Sequence, residues 1–361
     1  MTNRFLPRRA AMRALPLALA AILALLIPLS ANAADRPGGP AAATVPAPAG
    51  GDMPASPDVD ADALFKAIVK VSARAVPNAR TAGSLGSERE GSGVVIGKDG
   101  LVLTIGYLIV EADDVKITDS KGRVLPARVV GYDHASGFGL VRALVPLDAA
   151  PVPLGDSAKA AEREPVLIAS AGGDGTAFAW IVSKRPFTGN WEYKLDSALY
   201  TSPPTSNWSG AALLDRNGKL LGIGSLIVRE ATDGEPRLPG NVFVPIDLLK
   251  PILGDLVRQG RRTGPARPWL GVAADELQGH LLVTRVAPDG PADRAGVAAG
   301  DIILGVGSDA VRTQAEFYDR VWAERHAGDE VPLKVLHGVD VRDVKVRSMD
   351  RVDYFRPQST I

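Results

Sequence analysis

Residues 91–104 read Gly-Ser-Gly-Val-Val-Ile-Gly-Lys-Asp-Gly-Leu-Val-Leu-Thr, so two apolar runs flank an Asp-Gly pair. This pattern predicts a β-hairpin, because Asp and Gly tolerate the backbone of tight turns. Residues 213–223 repeat it around Arg216-Asn217-Gly218. Between residues 58 and 260 we therefore expect an all-β barrel or sandwich, two alternatives that periodicity does not separate. Further strand-like segments lie at residues 115–118, 124–130, 166–169, 179–182, 225–228 and 242–246, and helical spacing occurs at 61–72 and 246–259.

The composition of the 361-residue chain leaves room for two globular domains, with 46% hydrophobic and 23% charged residues. Lys+Arg and Asp+Glu each number 41, so the formal net charge is zero and a nucleic-acid partner is not expected. Cysteine is absent from the sequence, which excludes disulfides, a thiolate nucleophile and cysteine-based metal sites. No other pattern points to a metal or a cofactor, and none is expected.

The first 33 residues have the three parts of a secretory signal peptide. A start with four arginines precedes an Ala/Leu-rich run at residues 15–29 and a small-x-small cleavage pattern at residues 31–33. An uncleaved membrane anchor is the alternative, but the apolar run is short and Pro16 and Pro28 interrupt it. Residues 34–57 are rich in Ala, Pro and Gly and are expected to form a flexible linker. These features predict an exported, periplasmic protein.

In their order along the chain, these motifs resemble the protease domain of the HtrA (Deg) family. The hairpin at residues 91–104 matches the opening of that domain, and the later family segments follow in sequence. The resemblance implies a double β-barrel of trypsin type over residues 58–260, with the active site in the cleft between the barrels. The later segments lie at residues 133–140, 207–213, 218–223 and 241–247.

The resemblance also assigns the three catalytic positions. The family segment Thr-Asn-x-His reads Thr-Ile-Gly-Tyr at residues 104–107, so Tyr107 stands at the histidine position. The segment Asp-Ile/Leu-Ala-Leu reads Gly-Phe-Gly-Leu at residues 137–140, so Gly137 stands at the aspartate position. Of the triad, only the nucleophile position is kept, at Ser209.

A lone serine is a weak nucleophile, and this decides the predicted chemistry. A hydroxyl needs a neighbouring base to take its proton, and a phenol with an ordinary pKa of about 10 is itself protonated at neutral pH. Without His and Asp, triad logic predicts a loss of roughly a million-fold in turnover. We therefore expect Ser209 to be inert, unless another base reaches it. His134 is the one histidine of this domain, and we interpret it as an exposed loop residue.

The loop around the serine has also changed. Where the family has Gly-Asn-Ser-Gly-Gly-Pro-Leu, residues 207–213 read Asn-Trp-Ser-Gly-Ala-Ala-Leu. An oxyanion hole needs backbone N–H groups aimed at the developing charge, and Asn207 and Ser209 are the candidate donors. Asn207 replaces a glycine, but asparagine tolerates positive φ better than most residues. Two plainer interpretations stay open: Ser209 bonds only local backbone, and Trp208 is a packing residue rather than a ligand platform.

The C-terminal part resembles a PDZ domain, a small α+β fold, over residues 261–350, followed by a tail at 351–361. Its most specific signal is Pro-Ala-Asp-Arg-Ala-Gly-Val-Ala-Ala-Gly-Asp-Ile-Ile at residues 291–303. The resemblance implies that a backbone loop receives a peptide C-terminal carboxylate while the peptide adds as a strand. An alternative is a PDZ domain that docks only on its own barrel. The loop residues are Trp269, Leu270, Gly271 and Val272, and Phe317 and Val321 on the second helix would line the apolar pocket.

Together these features predict a mainly β protein: a trypsin-like double barrel followed by a PDZ domain. The leading hypothesis is an inactive protease homologue that binds peptides, C-terminal peptides among them, or unfolded proteins in envelope protein quality control. One alternative is an active serine endopeptidase that uses Ser209 with a non-standard base. Another is a structural subunit of a homo- or hetero-oligomer, a trimer by family resemblance.

Overall fold

The computed structural model describes residues 60–172 and 175–356. The predicted signal peptide and linker lie outside the described residues. Within the two described ranges, no helix is long and apolar enough to cross a membrane. The element order is that of two β-barrels followed by a separate antiparallel sheet.

The first barrel is closed by six antiparallel strands in the order β1-β2-β3-β6-β5-β4. The predicted hairpin at residues 91–104 is confirmed as β2 and β3, whose register pairs Val94 with Leu103. Gly100 supplies the positive φ of the turn, at 74°. The strands are β1 (Ile68–Ala75), β2 (Glu88–Val95), β3 (Leu101–Ile105), β4 (Ala112–Thr118), β5 (Val124–Tyr132) and β6 (Phe138–Ala143).

The second barrel repeats this closure with the order β10-β11-β12-β9-β8-β7. The second predicted hairpin is confirmed as β10 and β11. The Asp215 carboxylate accepts the N–H groups of Asn217 and Lys219, both at 2.8 Å, which fixes the turn. The strands are β7 (Pro165–Ala169), β8 (Thr176–Gly189), β9 (Tyr193–Ser202), β10 (Ala212–Leu214), β11 (Leu220–Val228) and β12 (Gly240–Pro245).

The helices of the barrel region are short and differ from the prediction at both ends. The expected helix at residues 61–72 is wrong beyond Ala67: α1 (Ala61–Ala67) gives way to β1, because the β-branched residues that follow pair with β2 and β4. The expected helix at residues 246–259 is broken by Pro251, which cannot donate to a helix. The remaining elements are α2 (Ala82–Leu85), 3-10 turns at Gly106–Leu108 and Ile246–Leu248, and α3 (Leu253–Gln259).

The C-terminal sheet has the order β13-β14-β15-β17-β18, with β16 beside β15. The predicted capping box is confirmed at the start of α5, where PLACEHOLDER The elements are β13 (Val272–Leu277), β14 (His280–Val286), α4 (Pro291–Arg294), β15 (Ile302–Val306), β16 (Asp309–Ala310), α5 (Gln314–Trp322), β17 (Glu330–His337), β18 (Asp340–Arg347) and α6 (Arg351–Tyr354).

Burial follows this division. One continuous cluster of buried apolar residues runs through both barrels, and a second cluster fills the far side of the second barrel. The C-terminal domain has a core of its own. The fold is thus a trypsin-like double barrel with a PDZ domain. Its barrels place residues 107, 137 and 209 near one another, and its last domain places the loop at residues 269–272 beside the second barrel.

Candidate active-site cleft and carboxylate-binding loop

Ser209 lies between the barrels with its hydroxyl against a tyrosine. Ser209 Oγ is 2.9 Å from Tyr107 Oη, and Tyr107 Oη is also 3.0 Å from the carbonyl oxygen of Ser225. The 3-10 turn at Gly106–Leu108 carries Tyr107, and the loop before β10 carries Ser209. Among the described residues, Tyr107 is the one side chain that hydrogen-bonds the Ser209 hydroxyl.

The two hydroxyl protons leave no acceptor for the serine. The Ser225 carbonyl can only accept, so the Tyr107 proton satisfies it and Ser209 then donates to Tyr107 Oη. If the phenol instead donates to Ser209 Oγ, the serine still keeps its own proton. Burial raises the pKa of Tyr107 to about 12, although hydrogen bonds with Ser209 and Trp208 oppose the shift. At neutral pH the tyrosine is therefore protonated and does not act as a base.

Gly137 occupies a backbone position that disfavours any side chain. Its φ is 82°, and a Cβ built there would lie 3.0 Å from Tyr193 Oη. The Tyr193 hydroxyl donates to the Ser136 carbonyl at 2.6 Å, so the ring is held in place. The Gly137 carbonyl accepts the N–H of Gly106 at 2.7 Å, one residue from Tyr107. An aspartate at this position would meet both a strained φ and a fixed aromatic ring.

The loop around Ser209 is held by close backbone contacts with its neighbours. The Ser209 carbonyl accepts the N–H of Ser92 at 2.7 Å. Gly210 has a φ of 73°, and a Cβ there would lie 2.0 Å from the Ser92 carbonyl. A Cβ on Gly91 would lie 2.9 Å from Ser209 Oγ, so only glycine fits beside the serine. The serine position is therefore fixed by packing that requires no chemistry.

Asn207 does not adopt the positive φ considered for it, since it is absent from the left-handed residues of the described ranges. Its N–H donates to Thr205 Oγ1 at 3.3 Å. In this geometry one of the two candidate oxyanion donors has a local partner. The Asn207 side chain is exposed.

His134 is more enclosed than the sequence indicates. It is half-buried, with Nδ1 3.2 Å from Tyr132 Oη and Nε2 3.1 Å from the carbonyl of Glu192. Arg351 lies 3.0 Å from Nε2. Burial and the Arg351 charge hold the pKa of His134 well below its usual range. The imidazole is thus neutral and fully partnered, and it makes no hydrogen bond to Ser209.

A cavity of about 420 Å³ opens beside Tyr107. Its lining is largely apolar and aromatic, with Trp208, Leu226 and Ile105 on the serine side. Trp191 and Phe355 close the opposite side. A concave apolar site with a few polar groups is typical of a ligand-binding cleft.

The predicted carboxylate-binding loop is occupied by a glutamate of the second barrel. Glu192 lies in the turn between β8 and β9 and is 3% exposed. One carboxylate oxygen accepts the N–H groups of Gly271 and Val272 at 2.6 and 2.9 Å, and the other accepts that of Leu270 at 2.9 Å. Burial raises the pKa of Glu192 to about 7, although the three N–H groups and the Arg351 charge favour the ionised form. The sequence gave no local signal for this residue.

The other predicted peptide-binding residues lie inside the PDZ core. Phe317 and Val321 are each 1% exposed, and Trp269 is 6% exposed and packs on Tyr354 with ring centroids 4.5 Å apart. The apolar pocket expected from the second helix is closed in this conformation. The structure thus brings the predicted loop together with a barrel residue, but it does not open the predicted pocket.

The segment after the PDZ domain returns to the first barrel. The N–H of Arg356 donates to Glu111 Oε1 at 2.8 Å, and the same carboxylate accepts the N–H groups of Arg80 and Thr81. Burial opposes ionisation of Glu111, but these bonds and that of the Thr81 hydroxyl outweigh it and lower its pKa. Tyr354 Oη donates to the Pro288 carbonyl at 2.8 Å. The PDZ domain is therefore attached to the barrels at both of its ends.

Comparison with known proteins identifies both parts of the chain. Residues 91–223 match the family model of the trypsin-like peptidase domain, and residues 268–347 match that of the PDZ domain. The serine endoprotease DegS of Escherichia coli (strain K12) is 27% identical over 306 residues, which cover 79% of this chain and 83% of DegS. A probable periplasmic serine protease do/HhoA-like of Haemophilus influenzae is 29% identical over 275 residues, 71% of this chain and 57% of that protein.

A solved structure shares the fold. It is a variant of the HtrA-type protease AlgW with a tripeptide, it has a TM-score of 0.50 and 19% sequence identity, and the match covers 83% of this chain and 98% of that one. At this identity the likeness supports the fold alone.

Proposed function

This chain belongs to the HtrA family, with a trypsin-like peptidase domain followed by a PDZ domain, and from this premise we propose that it is a proteolytically inactive homologue that binds peptides or unfolded proteins. The observation that carries the proposal is the 2.9 Å contact between Ser209 Oγ and Tyr107 Oη. It places a protonated phenol where the family has its base, and Gly137 supplies no carboxylate.

Covalent labelling tests the inactivity. A fluorophosphonate probe reacts quickly only with an activated serine, so the protein should label no faster than its Ser209→Ala variant, with trypsin as the positive reference. Unfolded casein should also remain intact in overnight incubation. Labelling of the unmodified protein at a rate near that of trypsin, lost in Ser209→Ala, would show that an unforeseen base activates the serine.

The cleft is the proposed site for apolar side chains of a bound polypeptide. Trp208 and Trp191 line it, and indole rings offer large contact surfaces with a polar edge. Trp208→Ala should weaken binding of fluorescently labelled, permanently unfolded casein by about tenfold or more, as expected for a central aromatic contact. Trp180 on β8 is 44% exposed and lies outside the cleft, so Trp180→Ala is the matched control. Equal effects of the two substitutions would exclude the cleft as the binding site.

Export to the periplasm and a part in envelope protein quality control complete the proposal. The N-terminal pattern at residues 1–33 and the periplasmic description of a relative support the location. Amino-terminal sequencing of the protein recovered from a periplasmic extract should begin at Ala34. Assembly as a trimer remains a prediction, which light scattering of the purified protein tests directly.

A further inference from the structure

The tip of the β8–β9 hairpin inserts into the PDZ domain. Residues 189–193 form this tip, which belongs to the second barrel and contacts elements more than 75 positions further along the chain. The Glu192 carboxylate is buried there and accepts three backbone N–H groups of the loop at residues 270–272. All three bonds measure between 2.6 and 2.9 Å, as expected for a charged or charge-assisted acceptor.

The chemistry of this contact is the chemistry of peptide capture. A PDZ loop of backbone N–H groups binds the carboxylate at the end of a peptide chain. The glutamate side chain presents the same functional group, and both of its oxygens are engaged. Because each N–H group has one proton to donate, the loop has no donor left among these three residues for a second carboxylate.

Further bonds fix the hairpin tip between β13 and α5, the walls of the expected peptide groove. Tyr318 Oη on α5 donates to the Gly189 carbonyl at 2.8 Å and accepts the N–H of Glu192 at 3.0 Å. Asn190 Nδ2 donates to Asp275 Oδ1 on β13 at 2.7 Å. Lys194 pairs with Asp319 on α5 at 2.5 Å. The tip thus contacts both walls and the loop at once.

The backbone of Glu192 indicates that this contact is specific. Its φ is 58°, in the left-handed region that a residue with a Cβ adopts at a cost of roughly 1–2 kcal/mol. Such a residue persists where the surrounding contacts determine its conformation, and here these contacts are the bonds to Tyr318 and to the loop. A glycine would fit the turn better, but it would carry no carboxylate.

We propose that Glu192 is an internal ligand of the PDZ carboxylate-binding loop, and that a peptide ending in a free carboxylate binds this domain only by displacing the hairpin tip. The proposal rests on the proposed function in one respect, that the PDZ domain binds peptides. It is independent of whether Ser209 is inert.

The test uses the full mature protein and two variants. Glu192→Gly removes the carboxylate and suits the positive φ, so it should fold at least as well, and Glu192→Gln keeps the shape without the charge. Asp196→Asn is the control, because Asp196 is an exposed carboxylate on the same hairpin. The probe is a fluorescein-labelled pool of decapeptides with four randomised C-terminal residues, prepared as the free acid and as the amide. Hydrogen exchange of residues 268–273 is measured with and without the pool.

We expect Glu192→Gly to bind the free-acid pool at least about tenfold more tightly than the unmodified protein, since the open loop is no longer a minor population. The amide pool and Asp196→Asn should show no gain. Exchange at residues 270–272 should accelerate in Glu192→Gly and slow again when free-acid peptide is added. Glu192→Gln should lie between the two.

Two results overturn the proposal in distinguishable ways. If exchange at residues 270–272 is equal in the unmodified protein and in Glu192→Gly, Glu192 does not occupy the loop in solution, whatever the peptides do. If exchange accelerates but the free acid binds no better than the amide, the open loop does not recognise a C-terminal carboxylate. The second result also refutes peptide binding by the PDZ domain, whereas the first leaves it intact.

Discussion

The cleft at Ser209 and the loop at residues 270–272 differ in what has been lost and what has been kept. In the cleft the nucleophile stands in place, but the two residues that would activate it are a tyrosine and a glycine. In the PDZ domain the loop is complete, but its donors already bind Glu192. One site lacks groups, and the other has all its groups in use.

This difference separates two kinds of inactivity. A missing base is a property of the sequence, and no change of conformation supplies it. An occupied loop is a property of one conformation, and movement of the hairpin would reverse it. The barrel cleft is therefore expected to remain inert under all conditions, whereas the PDZ domain is expected to respond to ligand and to pH.

The largest expected effect concerns repair of the cleft. Tyr107→His gives Ser209 an imidazole without an orienting carboxylate, and loss of that carboxylate alone costs about 10⁴-fold in kcat. The variant should therefore label with a fluorophosphonate at no more than about a ten-thousandth of the rate of trypsin. Adding Gly137→Asp should not recover the difference, because the backbone there is left-handed and Tyr193 Oη lies 3.0 Å from the new Cβ.

Labelling of the double variant within a hundredfold of trypsin would break the contrast between the two sites. It would mean that the cleft is one or two substitutions from activity, as the loop is one movement from binding. Tyr107→Phe is the control, since it opens the same space without adding a base.

The next effect is on stability and probes why the serine loop keeps its shape. Gly210→Ala places a Cβ 2.0 Å from the Ser92 carbonyl at a φ of 73°, and we expect a loss of about 3 kcal/mol or more in the free energy of unfolding. Gly122 has nearly the same φ, 77°, with nothing within 4 Å, so Gly122→Ala should cost only about 1 kcal/mol. Urea denaturation measures both. Equal losses would show that the loop is loose, against the packing described here.

A smaller effect is the pH dependence of the docked hairpin. Burial raises the pKa of Glu192 to about 7 in the docked state, above the value of about 4.3 in a free chain. The docked state thus holds a proton that the released state gives up, so docking is strongest in acid and weakens by up to about 3 kcal/mol as pH rises towards 8. The neighbouring charges do not change in this range, because Arg351 stays cationic, Tyr318 has a raised pKa and His134 has a lowered one.

Hydrogen exchange at residues 268–273 measures this dependence after correction for the intrinsic effect of pH. Protection should decline between pH 5 and 8 in the unmodified protein and stay constant in Glu192→Gln. A pH-independent difference between the two proteins would mean that Glu192 keeps one protonation state throughout.

The smallest effect is expected from Tyr107→Phe. Removal of the hydroxyl leaves the Ser225 carbonyl without its donor, which should cost about 1 kcal/mol in the free energy of unfolding. Labelling of Ser209 should stay at the background level from pH 6 to 10, as in the unmodified protein, because the pKa of Tyr107 is about 12. Faster labelling of the variant would show that the tyrosine restrains a competent serine.

Local patterns explain which parts of the fold were predictable. The two hairpins follow from Asp-Gly and Asn-Gly turns, and α5 follows from the Thr313 cap, because each signal acts within a few residues. The predicted helix at residues 61–72 failed because the apolar spacing there fits two periods, and pairing with β2 and β4 on both sides decided for a strand. Pairing of that kind is not visible in a window of twelve residues.

The candidate sites divide in the same way. Comparison with the family placed Tyr107, Gly137 and Ser209 by local motifs, and the structure sets Tyr107 against Ser209. Glu192 escaped notice because its partners lie 78 to 80 positions later in the chain. A lone glutamate in a Gly-Asn-Trp-Glu turn resembles any exposed turn residue. Only its positive φ and its burial mark it, and both are properties of the folded state.

The attachment of the segment at Arg356 to Glu111 has a consequence for sensitivity. Because the PDZ domain is bound to the barrels at both ends, the released hairpin stays close, at an effective concentration of about a millimolar or more. A soluble peptide competes with a neighbour that never diffuses away. The domain therefore acts as a threshold detector: it ignores scarce chain ends and registers those that accumulate.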